Sequence, residues 1–321
     1  MLYRTLGRTG LEVSVLGYGA SPLGNEFSTI DPAEGRRAVR QAIDLGINYF
    51  DVSPYYGRTL AETRLGEALE GRRTEVILAT KAGRYGVNLP DGFDFSAERI
   101  TRSVEESLRR LRTDYFDVFQ VHDIEFGDRN QIIEETLPAM FRLREQGKVR
   151  FVGITAYPLQ ILAQVAARLP VDTILSYCRY DLLDTGLETT LLPLAKERGI
   201  GLINGSPLHM GALTDKGVPA WHPAPRRVLA ACQEAAAFCR ARGADIADLA
   251  LQFALAEPAV ATTLVGMSKV THVERNVRLV GTTADPELLA GVKDILRPVM
   301  NAVWLEGRLE NNDPGAVPKQ S

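Results

Sequence analysis

Apolar residues recur along this chain in two alternating rhythms: short compact runs, and longer stretches in which they return at helical spacing. Tyr3–Leu6 and Glu12–Val15 flank Gly7-Arg8-Thr9-Gly10 and predict a small β-hairpin, after which Leu16–Ala20 predicts a strand. Asp31-Pro32-Ala33-Glu34 then offers a capping aspartate, a proline at the first helical position and an acid in the first turn, and Ala38, Val39, Ala42 and Ile43 follow on one helical face. Gly46 closes that helix and Ile47–Val52 is the next strand. The grammar repeats: a helix over about 60–70 and a strand Glu75–Thr80; a helical face Ile100, Val104, Leu108, Leu111 and a strand Tyr115–Val121; a helix over about 130–146 and a strand Val149–Thr155. It continues with a helix Ile161–Leu169 and a strand Thr173–Tyr177, then a helix over about 187–198 and a strand Ile200–Asn204. Helices over about 226–241 and 246–256, a strand Thr262–Val265, and helices near 271–280 and 286–297 complete the pattern.

Strands that alternate with helices lie parallel, and eight such units in about 300 residues suit closure better than an open sheet. The pattern therefore predicts an α/β fold, a (β/α)8 TIM barrel forming one domain over residues 1–321, with an N-terminal β-hairpin over one end and extra helices. The polar, turn-rich stretch after Trp304, about 305–321, reads as a flexible tail.

Composition narrows the partners. The net charge of −3, from 37 basic and 40 acidic residues without a long run of either, argues against nucleic acid. No apolar stretch approaches the roughly 18–20 residues of a membrane helix, and the charged, turn-rich start is unlike a secretion signal. Of the three cysteines, Cys232 and Cys239 fall on one predicted helix about 10 Å apart in rise, too far for a disulfide. Buried thiols in a reducing compartment, the cytoplasm, are the expectation, in a monomer or small homo-oligomer.

Barrel chemistry sits at the C-terminal strand ends. There Phe50-Asp51, Thr80-Lys81 and Val121-His122 end consecutive strands, and Tyr56 follows Asp51 by five residues. One charged strand end is where a chain meets water; three neighbours carrying Asp, Lys and His surround one spot. A lysine beside Tyr56 lowers the phenol's pKa, the aspartate holds the lysine, and the histidine donates to a substrate oxygen. Such a set suits a tyrosine that exchanges a proton with an alcohol or carbonyl while hydride moves to or from a nicotinamide. Asp123, Glu125, Tyr55 and Tyr85 suit either sugar hydroxyls or solvated loops, and Trp221 and Trp304 either a substrate wall or packing, with packing favoured for Trp221. His209 and His222 have no carboxylate or cysteine at ligand spacing, so no metal is expected. Gly17-Tyr18-Gly19 reads as a backbone bend, because Pro22 and the polar stretch after it do not lead into a helix.

At these residues the sequence resembles the aldo-keto reductase family: Asp51 with Tyr56-Gly57, Thr80-Lys81, Val121-His122, Gly147-Lys148-Val149-Arg150, Gly153-Ile154-Thr155, Ser206-Pro207-Leu208, Gly211-Ala212-Leu213 and Val265-Gly266-Met267-Ser268. Within it, the likeness is to aldose 1-dehydrogenases, carried by Gly19-Ala20-Ser21-Pro22-Leu23-Gly24, Gly92-Phe93-Asp94-Phe95-Ser96 and His122-Asp123-Ile124-Glu125-Phe126-Gly127. The resemblance implies oxidation at C1 of a sugar such as L-galactose or L-fucose, with Tyr56 the proton carrier, Lys81 tuning it, Asp51 holding Lys81 and His122 orienting the sugar. Tyr55, Tyr85 and Asp123 are the implied substrate contacts. For the cofactor it implies Thr155 and Ser176 at the carboxamide; Ser206, Leu208, Gly211 and Leu213 over the pyrophosphate; and Gly266, Ser268, Lys269, Arg275 and Asn276 at the adenosine. Ala156, Ser176 and Gly205 depart from the family's usual Asn, Gln and Tyr. His272 stands where many NADP users have a basic anchor, so NAD is expected to be preferred, with NADP an alternative. Other readings are a general aldo-keto reductase or pyridoxal-type dehydrogenase, a Schiff-base aldolase using Lys81, and a nicotinamide-binding regulatory subunit.

Overall fold

In the computed structural model, which describes residues 1–26, 28–88, 91–219 and 221–319, the apolar runs become the staves of a closed barrel. Strands β1 (Tyr3–Thr5) and β2 (Glu12–Ser14) form the antiparallel hairpin, with Tyr3 opposite Ser14. The barrel follows as β3 (Leu16–Gly19), β4 (Tyr49–Asp51), β5 (Ile77–Ala82), β6 (Phe116–Val121), β7 (Val149–Ala156), β8 (Thr173–Tyr177), β9 (Gly201–Gly205) and β10 (Val260–Gly266). All pair in parallel in chain order, and β10 closes on β3. The hairpin plugs the N-terminal end: Leu6, Leu11 and Val13 pack with Tyr49, Val118 and Ile203 from inside the barrel. Gly7, at φ +52°, lets the hairpin touch β9, since a Cβ there would lie 2.3 Å from Gly201 N.

Helices α1 (Pro32–Asp44), α2 (Leu60–Ala68), α3 (Ala97–Leu111), α4 (Arg129–Gln131), α5 (Leu137–Glu145), α6 (Leu159–Arg168), α7 (Gly186–Thr190), α8 (Leu192–Arg198), α9 (Arg226–Arg240), α10 (Ile246–Ala256), α11 (Val270–Leu279) and α12 (Pro286–Leu296) cover the outside. Asp31 caps α1 by accepting from Ala33 N, as its sequence signature requires, and Ser96 caps α3 through Arg99 N. Two expected single helices are interrupted. Residues 130–146 contain a π-helical turn, Ile132–Thr136, just before Pro138, whose missing N–H and bulky ring do not fit an α-helical ladder. The helix over 187–198 divides into α7 and α8 beside Pro193 for the same reason. Gly17-Tyr18-Gly19 lies inside β3 rather than at a bend; a Cβ on Gly17 would meet Thr262 Oγ1 at 2.7 Å.

The stretch past Trp304, expected as a flexible tail, is docked. Arg308 N and Asn311 Nδ2 each donate to the Glu125 carbonyl at 2.9 Å, and Asn311 is 3% exposed. Asp313 caps α6, accepting from Leu159 N at 3.2 Å and Gln160 N at 2.8 Å, and pairs with Arg179 at 2.6 Å. The residue preceding α6 is Pro158, which has no side-chain acceptor, so the tail supplies the missing cap. Among the described residues, no helix is long and apolar enough to cross a membrane.

Candidate active site

The register of β4, β5 and β6 explains why their polar ends converge. Asp51 lies level with Ala79, Lys81 is two residues further along the same face, and Lys81 is level with Gln120. All three side chains therefore enter the barrel. Lys81 Nζ donates to Asp51 Oδ1 and, at 3.0 Å, to the Val52 carbonyl, while Gln120 Nε2 donates to Asp51 Oδ2 at 3.0 Å. Gln120 escaped the sequence reading because it sits within an apolar strand and ends nothing. Room for it comes from Gly153, where a Cβ would lie 3.1 Å from Gln120 Cγ and 2.2 Å from Thr173 Oγ1.

Tyr56 comes from the turn after β4, with its ring centroid 5.2 Å from Lys81 Nζ and 5.8 Å from the His122 ring, edge to face. Burial pushes its hydroxyl up to about 12, and the pull of Lys81 toward phenolate is only a partial offset. The expected lowering by the lysine is thus present but is not the largest effect. Burial opposes charge on Lys81 as well, yet Asp51 and Tyr56 outweigh it and hold the ammonium above its ordinary value. A lysine locked as ammonium is not an amine nucleophile, which removes support for the Schiff-base reading.

His122 Nδ1 lies 2.9 Å from Ser53 Oγ, and burial pushes the imidazole down to about 3, so it is neutral across the physiological range. Ser53 Oγ also accepts from Tyr55 N at 3.1 Å. Beside His122, Asp123 adopts φ +52° and is ion-paired with Arg84 at 2.5 Å. Burial opposes its charge, but His122 and Arg84 hold its carboxyl below the usual range. Arg84 also covers the Tyr55 ring at 3.9 Å. Sequence reasoning passed over Arg84; Gly83, at φ +103°, turns it into the mouth. Next to this pair, burial and then Asp123 push the Glu125 carboxyl well above its usual range; it accepts from Tyr157 N at 3.1 Å and Tyr177 Oη at 3.4 Å.

Other expected residues divide. Tyr85 leaves the mouth: its hydroxyl accepts from Gly83 N at 3.1 Å and its ring lies 3.8 Å from the Arg99 guanidinium of α3. Thr155, expected at a carboxamide, already uses its hydroxyl to accept from Asp123 N at 2.9 Å and to donate to Asp123 Oδ1 at 3.3 Å. Ser176 Oγ, by contrast, is buried at the end of β8 without a hydrogen-bond partner. Ser206 (φ +55°) and Gly211 (φ +99°) shape the loop after β9, Leu208 is half-buried there, and Leu213 is buried in the core. Gly266 is exposed at the end of β10; Ser268, Lys269 and Asn276 lie at or on α11, and Arg275 is occupied by Asp245 and Asp248. Trp221, expected to pack, is 57% exposed, whereas Trp304 is buried and stacks on Tyr157 at 4.2 Å. All three cysteines are free thiols.

The chain matches known proteins over nearly its whole length. The aldo/keto reductase family profile matches residues 15–297. The chain belongs to that family. It is 48% identical to L-galactose dehydrogenase of Arabidopsis thaliana over 96% of this chain and 98% of that protein. It is 29% identical to D-threo-aldose 1-dehydrogenase of a Pseudomonas species, over 83% of this chain and 89% of that one. Among solved structures, the holo form of an aldo-keto reductase from Bacillus halodurans matches with a TM-score of 0.79 and 30% identity, covering 98% of this chain and 100% of that chain. The chain is therefore an oxidoreductase of a family that uses nicotinamide cofactors.

Proposed function

We propose that this aldo-keto reductase oxidises an aldose of the L-galactose or L-fucose type at C1, giving the aldonolactone, in the cytoplasm. The carrying observation is the apposition of Tyr56, the Asp51–Lys81 pair and a neutral His122 at one spot of the mouth, beside the acidic Asp123. The names of the two sugar dehydrogenases it resembles support the substrate class.

In this reading Tyr56 accepts the proton of the C1 hydroxyl as hydride leaves C1. The hydride acceptor is a nicotinamide ring, which is the chemistry the cofactor supplies when bound. Lys81 stabilises the phenolate by charge, and Asp51, itself oriented by Gln120, keeps Lys81 aimed. The Asp123 carboxylate, 3.6 Å from His122 Nε2, favours the histidine proton on Nε2, and Ser53 Oγ then donates to Nδ1 at 2.9 Å. Nε2–H then donates to the sugar oxygen. Asp123 and Tyr55, fixed by Arg84, meet sugar hydroxyls.

The residues present fit a dinucleotide. The unpartnered Ser176 Oγ is a ready contact for the carboxamide, and Gly205 leaves the neighbouring strand end without a side chain. The left-handed loop at Ser206 and Gly211 suits the pyrophosphate, and Gly266, Ser268, Lys269 and Asn276 the adenosine. NAD is favoured over NADP because Glu34 from α1 accepts from Val270 N at 3.0 Å, placing a carboxylate at the N-terminus of α11. An anion already there repels a 2′-phosphate, and Arg275 is engaged elsewhere.

The test is a panel of aldoses and alcohols with NAD+, followed at the absorbance of reduced nicotinamide. Turnover of an L-galactose-type sugar is expected, and Tyr56→Phe should lose about 100- to 10,000-fold in kcat while cofactor still quenches the protein's fluorescence. A Tyr56→Phe protein with near-full rate refutes the proton-carrier assignment, and absence of turnover with every aldose refutes the substrate class.

A further inference from the structure

The loops after β8 and β9 bring together a thiol, a carboxylate and an imidazole that the proposed oxidation does not use. Cys178, Asp181 and His209 are exposed by 1%, 0% and 2%. One ligand-capable atom of each lies within 4.8 Å of the others. His209 Nδ1 sits 2.8 Å from Asp181 Oδ2, and Cys178 Sγ lies 3.9 Å from the Ser206 carbonyl. The other carboxylate oxygen, Asp181 Oδ1, accepts from Leu183 N at 2.7 Å and Asp184 N at 3.0 Å. His209 Nε2 is buried with no hydrogen-bond partner. Two of the three residues are held in the left-handed region, Cys178 at φ +56° and His209 at φ +48°, a conformation costly for residues with a Cβ. The sequence concealed this cluster because its members come from separate strand-end loops.

We propose that Cys178, Asp181 and His209 form a binding site for a zinc-type transition-metal dication. A sulfur, nitrogen and oxygen donor set suits such an ion. Charge balances on binding: the Cys178 thiol releases its proton to solvent, thiolate plus carboxylate offset the dication, and one water carried in with the ion takes the fourth position. His209 ligates through Nδ1 and carries its proton on Nε2. Ligands of a tetrahedral ion stand about 3.3–3.6 Å apart. The His209–Asp181 contact therefore opens by roughly half an ångström and the thiol closes by up to about 1 Å, both within reach of side-chain rotation. The two backbone bonds to Asp181 Oδ1 hold the carboxylate in place, as outer-shell donors do in metal sites.

Cobalt(II) tests this, because a thiolate ligand adds an intense near-ultraviolet charge-transfer absorption. Full-length protein, reduced and stripped by chelator, is titrated with Co2+, and circular dichroism verifies the fold of each variant. The expected result is a saturable band at about one equivalent, displaced by Zn2+. Cys178→Ser should abolish it, Cys232→Ser should keep it, and Asp181→Asn and His209→Ala should each weaken Co2+ binding about tenfold or more. No band in folded wild type, a band that survives Cys178→Ser, or Asp181→Asn binding with wild-type affinity overturns the proposal.

Discussion

The pH profile of sugar oxidation tests the electrostatics of the mouth most directly. Tyr56 must be a phenolate to accept a proton, and burial pushes it up to about 12. His122, pushed down to about 3, is neutral above pH of about 4 and contributes no break. The oxidation kcat/KM should therefore climb about tenfold per pH unit from pH 6 to about 10, with no inflection near 6.5. Lys81 Nζ is 5.2 Å from the Tyr56 ring centroid. At an effective dielectric constant of about 20, a charge pair at that separation is worth roughly 3 kcal/mol, or about two pK units. Asp51 opposes part of that pull. The neutral pair Asp51→Asn with Lys81→Met should thus lower the whole rising limb by about 10- to 100-fold, read at pH 8, without flattening its slope. Removing both charges together avoids leaving a buried, unpaired carboxylate. Initial rates with a reactive aldose and saturating NAD+ between pH 5.5 and 10.5 decide the matter. A plateau beginning below about pH 10, or a break near 6.5, refutes Tyr56 as a proton acceptor in this environment.

Two further outcomes follow from contacts far from Tyr56. Glu34→Gln should raise the ratio of NADP+ to NAD+ kcat/KM by about tenfold, because the carboxylate on Val270 N is lost while a neutral acceptor remains; an unchanged ratio in an enzyme that prefers NAD+ refutes the role of Glu34, not the preference. Asp313→Ala removes the α6 cap and one partner of the buried Arg179, and should cost about 2–4 kcal/mol, read as a lower urea midpoint with an unchanged slope.

Where the sequence was legible, a local rule carried the information. The alternation of short apolar runs with helical stretches located every barrel strand, and the capping residue Asp31 marked a helix start that the structure keeps. Asp51, Lys81 and His122 were visible because each ends a strand, and strand ends are where a barrel does chemistry. What stayed hidden depended on through-space neighbours. Gln120 lies inside a strand and matters only because register sets it level with Lys81. Arg84 and Tyr85 are adjacent, and the sequence cannot say which one the left-handed Gly83 turns inward. The tail looked loose because its composition is polar, yet its polar groups answer unpaired backbone donors and acceptors at α6 and Glu125.

The mouth is organised by charge pairs rather than by single charges. Lys81 faces Asp51 and Arg84 faces Asp123, with Tyr56 and a neutral His122 between them. Each pair costs desolvation that apolar residues of similar shape would not, so its retention is not explained by stability. The arrangement instead keeps the net charge around Tyr56 near zero while fixing where each sign sits. The positive end of one pair points at the phenol and the negative end of the other borders the histidine. A phenol in such a field stays protonated when nothing is bound, and the fixed charges need not move when a proton arrives or leaves. Loss of either partner would convert a directional field into an unpaired buried charge. In the proposed reaction the asymmetric pairs thus tie the reactivity of Tyr56 to residues at the ends of three separate strands.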